Sequence, residues 1–160
     1  AFALKMPAVA NLRVAFERNG DVGQERVLTA NRDAIYTTQV DAALLLAKPT
    51  HIDTIEWFAS PNDLVKLMAH MHGMQDETML GIMGINTGVG PSDAGRWRYI
   101  GYKGGSETGV INMTFLAQRS DGRWFAITGS WNNAAAPVET ERFAALMSRL
   151  LNVTVEQQGG

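Results

Sequence analysis

The chain has 160 residues, 46% of them hydrophobic, which suits one domain of the usual roughly 100–200 residues with a core of its own. Its 14 basic and 16 acidic residues leave a net charge of −2, and so modest an acidic balance argues against a nucleic-acid surface, which needs a basic stripe to neutralise phosphates. No apolar run approaches the ~20 residues needed to span a bilayer. The absence of cysteine excludes disulfides, thiolate metal sites and a cysteine nucleophile. The opening Ala1-Phe2-Ala3-Leu4-Lys5-Met6-Pro7 does not read as a signal peptide, and a first residue other than Met reads as a processed or trimmed chain.

In chain order, Val9, Leu12 and Phe16 recur at helical spacing, and Asn19-Gly20-Asp21 reads as a break. Residues 41–47 are rich in Ala and Leu and form a predicted helix that Pro49 ends. Ser60-Pro61-Asn62-Asp63 is a helix start: Ser60 accepts a free N–H, and Pro61 suits the first helical position. Leu64, Leu67, Met68 and Met71 give that helix an apolar stripe, and Gly73 is a stop signal. A short helix with Met79, Ile82 and Met83 follows, then a loop over residues 86–93.

The period then changes. Residues 97–103 read as a strand. In residues 110–118, Ile111, Met113 and Phe115 alternate with Asn112 and Thr114. Ser120-Asp121-Gly122 is a turn, and residues 124–131 return as a strand with Phe125 and Ile127 on one face and Trp124 and Ala126 on the other. A final helix over 138–151 has Phe143, Leu146, Met147 and Leu150 as its apolar face. This order predicts an α+β fold, a single domain in which an antiparallel sheet of at least three strands packs with helices.

Few residues carry obvious chemistry. His70 and His72 lie two apart on a helix and diverge by about 200°, so they do not chelate one ion together. His51 and Asp53 lack further ligands nearby. Gly81, Gly84, Gly88 and Gly90 lack the Gly-Lys-Ser/Thr close of a phosphate loop and read as loop flexibility. No metal or other cofactor is implied. The strongest local signal is Lys103-Gly104-Gly105-Ser106. A lysine closes a strand there, and two glycines leave the backbone open to close approach by a ligand. Lys103 adds positive charge, and Ser106 an N–H and a hydroxyl, which together suit an anion or an acyl oxygen. An ordinary Gly-rich turn between two strands is the alternative.

The order of elements around this stretch resembles the C-terminal part of class A β-lactamases and β-lactamase-related serine hydrolases, a superfamily that includes penicillin-binding proteins. Lys103-Gly104-Gly105 resembles the family's Lys-Thr/Ser-Gly triad, with Gly104 where Thr or Ser is usual. Ile82-Met83-Gly84-Ile85-Asn86-Thr87-Gly88 resembles its Trp-Met-x-x-Asn-x-Thr-Gly segment, with Ile82 replacing Trp. Trp97 to Tyr102, the hairpin after Ile111 and the last helix follow in the family's order, so the likeness covers residues 54–151. The resemblance implies that Lys103 holds positive charge beside a nucleophile and a substrate carboxylate. It also implies that Ser106 offers its N–H to an oxyanion hole, with Gly104 and Gly105 lining the substrate site. It implies a small-molecule acyl substrate and a periplasmic or extracellular setting. The hydroxyl missing at Gly104 puts penicillin-like substrates in doubt.

The family's nucleophile lies in Ser-x-x-Lys. The four lysines here, Lys5, Lys48, Lys66 and Lys103, are preceded at three residues by Phe2, Leu45, Asp63 and Ile100. Ser60-Pro61-Asn62 comes too late in the order for the family's Ser-Asp-Asn. Glu25-Arg26-Val27-Leu28-Thr29 matches its Glu-x-x-Leu-Asn except for Thr29. The expectation is therefore the back half of a serine acyl-hydrolase, inactive alone, that homo-oligomerises or pairs with the missing N-terminal portion through uncovered apolar surface. Two alternatives stand beside it. One is a non-catalytic module binding a ligand or peptide at this sheet edge. The other is a cone-like α+β domain enclosing a small hydrophobic ligand.

Overall fold

A computed structural model describes residues 1–157, and among them the fold is α+β, with a three-stranded antiparallel sheet packed against helices. The chain divides into two compact units, one of which holds the first 58 residues and the other nearly all of the sheet.

The first unit comprises Ala1–Phe58 with Glu107–Gly109 and Asn133–Pro137. It opens with two 3-10 turns, Phe2–Lys5 and Pro7–Val9, followed by α1 (Ala10–Glu17), α2 (Asp21–Ala30), α3 (Arg32–Thr37) and α4 (Ala42–Ala47). The break read at residues 19–21 spans residues 18–20, and α2 begins at Asp21 behind Gly20 as N-cap. Asp41 caps α4, its carboxylate accepting from the N–H groups of Ala43 (2.9 Å) and Leu44 (3.2 Å). Lys48, ahead of Pro49, is extended, because the proline ring disfavours helical backbone in the residue before it. None of these four helices has a fully buried residue. The buried set is Leu4, Lys5, Met6 and Val9 from the opening turns with Ile52 and Ile55 from the segment after α4. Arg13 ties the opening turns down by donating to the carbonyls of Leu4, Lys5 and Met6 at 3.2–3.4 Å.

The second unit begins at Ala59 and holds α5 (Pro61–Gly73), α6 (Glu77–Gly84), α7 (Pro91–Ala94), β1 (Tyr99–Glu107, its last residue grouped with the first unit), β2 (Val110–Gln118), β3 (Trp124–Asn132) and α8 (Thr140–Glu156). The strand order is β1-β2-β3, so β2 is central. Phe115 faces Ile127 across the β2–β3 ladder, and the register closes at Gln118 opposite Trp124. One face of the sheet carries Ile111, Met113, Phe115, Ala117 and Ile127, packed against Phe143, Met147 and Leu151 of α8. The other carries Leu116 and Ala126 against Met68 of α5 and Met83 of α6. Thr114, one of the alternating polar residues of β2, therefore does not face water. Thr114 is buried, its hydroxyl sharing a hydrogen bond of 2.7 Å with Thr128 and donating to Asn112 Oδ1 at 3.0 Å. Hydrogen bonding satisfies what burial would otherwise penalise.

Two sequence expectations shift in register. α8 buries Phe143, Met147 and Leu151, whereas Leu146 and Leu150 are 60% and 43% exposed. A helix lying on a sheet buries a narrow i, i+4, i+8 stripe, and the expected face is turned about one residue from it. β1 starts at Tyr99 and runs through the glycines to Glu107, so Lys103 sits mid-strand and not at its end.

Candidate functional site

Among the described residues β1 pairs on one side only, which makes Lys103, Gly104, Gly105 and Ser106 part of a sheet margin. Lys103, Gly105 and Ser106 are exposed and Gly104 is half-buried. The turn expected directly after the lysine lies instead at Thr108-Gly109, where Gly109 takes a φ of 88°. Because successive Cβ positions alternate along a strand, the Lys103 side chain leaves one face of the sheet and the Ser106 hydroxyl the other. The two side chains do not converge. What they share is the strand backbone between them. The Lys103 ammonium donates to the carbonyl of Gly104, a neighbouring group on the same margin.

Gly104 has a steric explanation. A Cβ at this position would overlap the Tyr102 hydroxyl and lie 3.1 Å from the Asn112 carbonyl. The Tyr102 ring packs 5.1 Å from that of Phe115, and burial pushes its phenol above the usual range. Tyr102 therefore occupies the space that a Thr or Ser side chain would need. Nothing lies within 4 Å of a Cβ built on Gly105, so the backbone there is open to an approaching group. A shallow groove beside Tyr102, lined by Asn86, Gly88, Val89 and Ser148, includes neither Lys103 nor Ser106.

The other sequence candidates resolve into structural roles. Ser60 accepts from Asp63 N–H at 3.2 Å while Asp63 Oδ2 accepts from Ser60 N–H at 3.0 Å, a reciprocal capping box. The Ser60 hydroxyl, which also donates to Asp63, holds that carboxyl below its usual range. Glu25 is exposed in the middle of α2. His72 stacks on Trp124 with ring centroids 4.4 Å apart. His51 lies 3.7 Å from Glu17, and burial followed by the charge of Arg13 lowers its pKa. No group of three or more His, Asp or Glu among the described residues is placed to hold a metal ion. Gly81 and Gly84 lie inside α6 and not in a loop.

Sequence reasoning tested Lys5 only as the end of a Ser-x-x-Lys and missed its surroundings. Its side chain is fully buried, ion-paired to Glu56 and Glu107. The one local signal was its position between Leu4 and Met6, both buried. Its partners lie 51 and 102 residues away, beyond any spacing rule.

No protein-family model matches the chain, and no curated protein matches it. A functional reading therefore rests on the residues and their geometry.

Proposed function

We propose that the chain is the C-terminal part of a serine acyl-hydrolase resembling class A β-lactamases and their relatives, with the attacking serine supplied by polypeptide outside these 160 residues. The observation that carries this reading is the margin strand β1, which presents Lys103, Gly105 and Ser106 on an edge that no other strand among the described residues covers. The β1-β2-β3 order with a helix laid across one face supports it further. In the parent reaction an acyl group passes from an ester, amide or β-lactam to the serine and then to water. Lys103 supplies positive charge near the substrate. The Ser106 N–H serves as one of two oxyanion donors, each worth about 10²–10³ in rate when preorganised. Tyr102 over Gly104 excludes the usual hydroxyl from the carboxylate site, which favours ester or amide substrates over penicillins. Leu146 and Leu150, exposed on α8, suit association with a second copy or with the N-terminal portion.

The absence of Ser-x-x-Lys favours a second reading, a module that binds an anionic ligand or peptide at the β1 edge without chemistry. Mass spectrometry after incubation with a fluorescent penicillin and with an activated ester separates the two. The chain alone is expected to take no acyl group, and the chain with its upstream segment restored to acquire one. A restored protein that acylates with neither reagent rejects the hydrolase.

A further inference from the structure

We propose that Lys5, Glu56 and Glu107 form a pH-gated clamp on the first unit, closed while the two glutamates share one proton and loosened when both are ionised. This inference does not depend on the hydrolase reading. The Lys5 ammonium donates to both carboxylate oxygens of Glu107, at 2.8 and 2.7 Å, and pairs with Glu56. It is fully buried, and the Glu56 and Glu107 side chains are only 21% and 15% exposed. Three distant stretches meet there: the opening 3-10 turn, the segment just after Ile55, and the end of β1. The cluster thereby joins the first unit's small core to the turn at Gly109.

The charge count makes the joint conditional. One ammonium faces two carboxylates, so full ionisation leaves a net −1 inside low-dielectric surroundings, which is costly. The neighbouring charges do not cancel it. Arg13, from α1, spends its guanidinium on the carbonyls of Leu4, Lys5 and Met6. Glu17, also on α1, accepts from the Thr54 hydroxyl at 2.7 Å and lies near His51, with Asp53 on the same segment. Burial, with Arg13 beside it, favours the neutral form of His51. The Phe2 ring, 5.6 Å from the Lys5 nitrogen, adds no formal charge. Glu56 Oε1 is buried and makes no hydrogen bond of acceptable geometry, although it faces the ammonium. A single proton on one of the two glutamates neutralises the cluster.

The two carboxyls are unequal. Burial, with the Glu56 carboxylate adding to it, raises Glu107 above the ordinary carboxylate range against the pull of Lys5. Burial opposes ionisation of Glu56 as well, but the Lys5 ammonium it faces outweighs this and holds it below that range. A proton taken up by the pair therefore goes to Glu107 before Glu56. A raised folded-state pKa contributes stability at low pH that is lost as pH rises through that raised value. A lowered one contributes stability that is lost as pH falls through it. The first unit is most stable between the two titrations and loosens on the alkaline side as Glu107 ionises.

The test uses the whole chain. Carboxyl carbon NMR of the unmodified protein is expected to show Glu107 titrating above the ordinary value of about 4.3. The opening constants of the Leu4, Met6 and Ile55 amides, read by hydrogen exchange, are expected to rise by up to about tenfold per pH unit across that titration. The E107Q variant keeps a neutral hydrogen-bonding partner and is expected to abolish this rise. A Glu107 carboxyl titrating at or below the ordinary range overturns the proposal, as does a wild-type rise that E107Q retains. If E107Q does not fold, the NMR titration of the unmodified chain decides alone.

Discussion

The two units bury different materials. The second encloses large apolar side chains on both faces of its sheet, with Phe115 wholly inside and α8 spanning 17 residues. The first has helices of six to ten residues, buries a lysine among five apolar residues, and leaves Trp57 91% and Tyr36 77% exposed. Helices this short are marginal in isolation, so their positions depend on contacts made elsewhere. A sheet with two apolar faces organises its neighbours through area, whereas a buried ion cluster does so through a few directed bonds that a change of protonation can undo.

Three substitutions sharpen this contrast. Phe115→Ala removes the best-buried ring of the sheet and is expected to cost about 3–5 kcal/mol in urea unfolding. A loss below about 1 kcal/mol would mean that the sheet core is not packed as described. Gly109→Ala tests the hairpin tip in the first unit. The φ of 88° is strained for any residue with a Cβ, and that atom would lie 2.6 Å from the Asn133 carbonyl and 2.7 Å from Pro49. A cost of about 1–3 kcal/mol is expected, measured by thermal melting, and a neutral result would place the turn elsewhere. Ser60→Ala is the mildest, at about 1 kcal/mol, read as faster amide exchange in the first turn of α5. Unchanged exchange there would return Ser60 to the list of residues available for chemistry.

How far each region could be read follows from where its information lies. The start of α5 was legible because Ser60, Pro61 and Asp63 satisfy their own backbone within four residues. The β2–β3 hairpin was legible because Ile111, Met113 and Phe115 repeat at the period of the strand itself. The end of β1 was misread because glycines usually mark turns, yet Gly104 and Gly105 remain extended beside β2. α2 and α3 went unassigned because their apolar residues form no buried stripe. Of the candidate site, the placement of Lys103 on a sheet margin was legible. The divergence of its side chain from that of Ser106 followed only once both proved to be in one strand. The Tyr102 hydroxyl over Gly104 was not legible at all, because a rotamer decides it.

By itself the sequence determined the α+β class, the antiparallel hairpin and the capped helix, since periodicity and capping act between residues a few positions apart. Only the tertiary structure decided which face of α8 is buried, that Thr114 lies inside, and that Lys5 meets carboxylates at Glu56 and Glu107. Those outcomes depend on which distant surfaces come into contact and on the cost of leaving a polar group or a charge there without a partner.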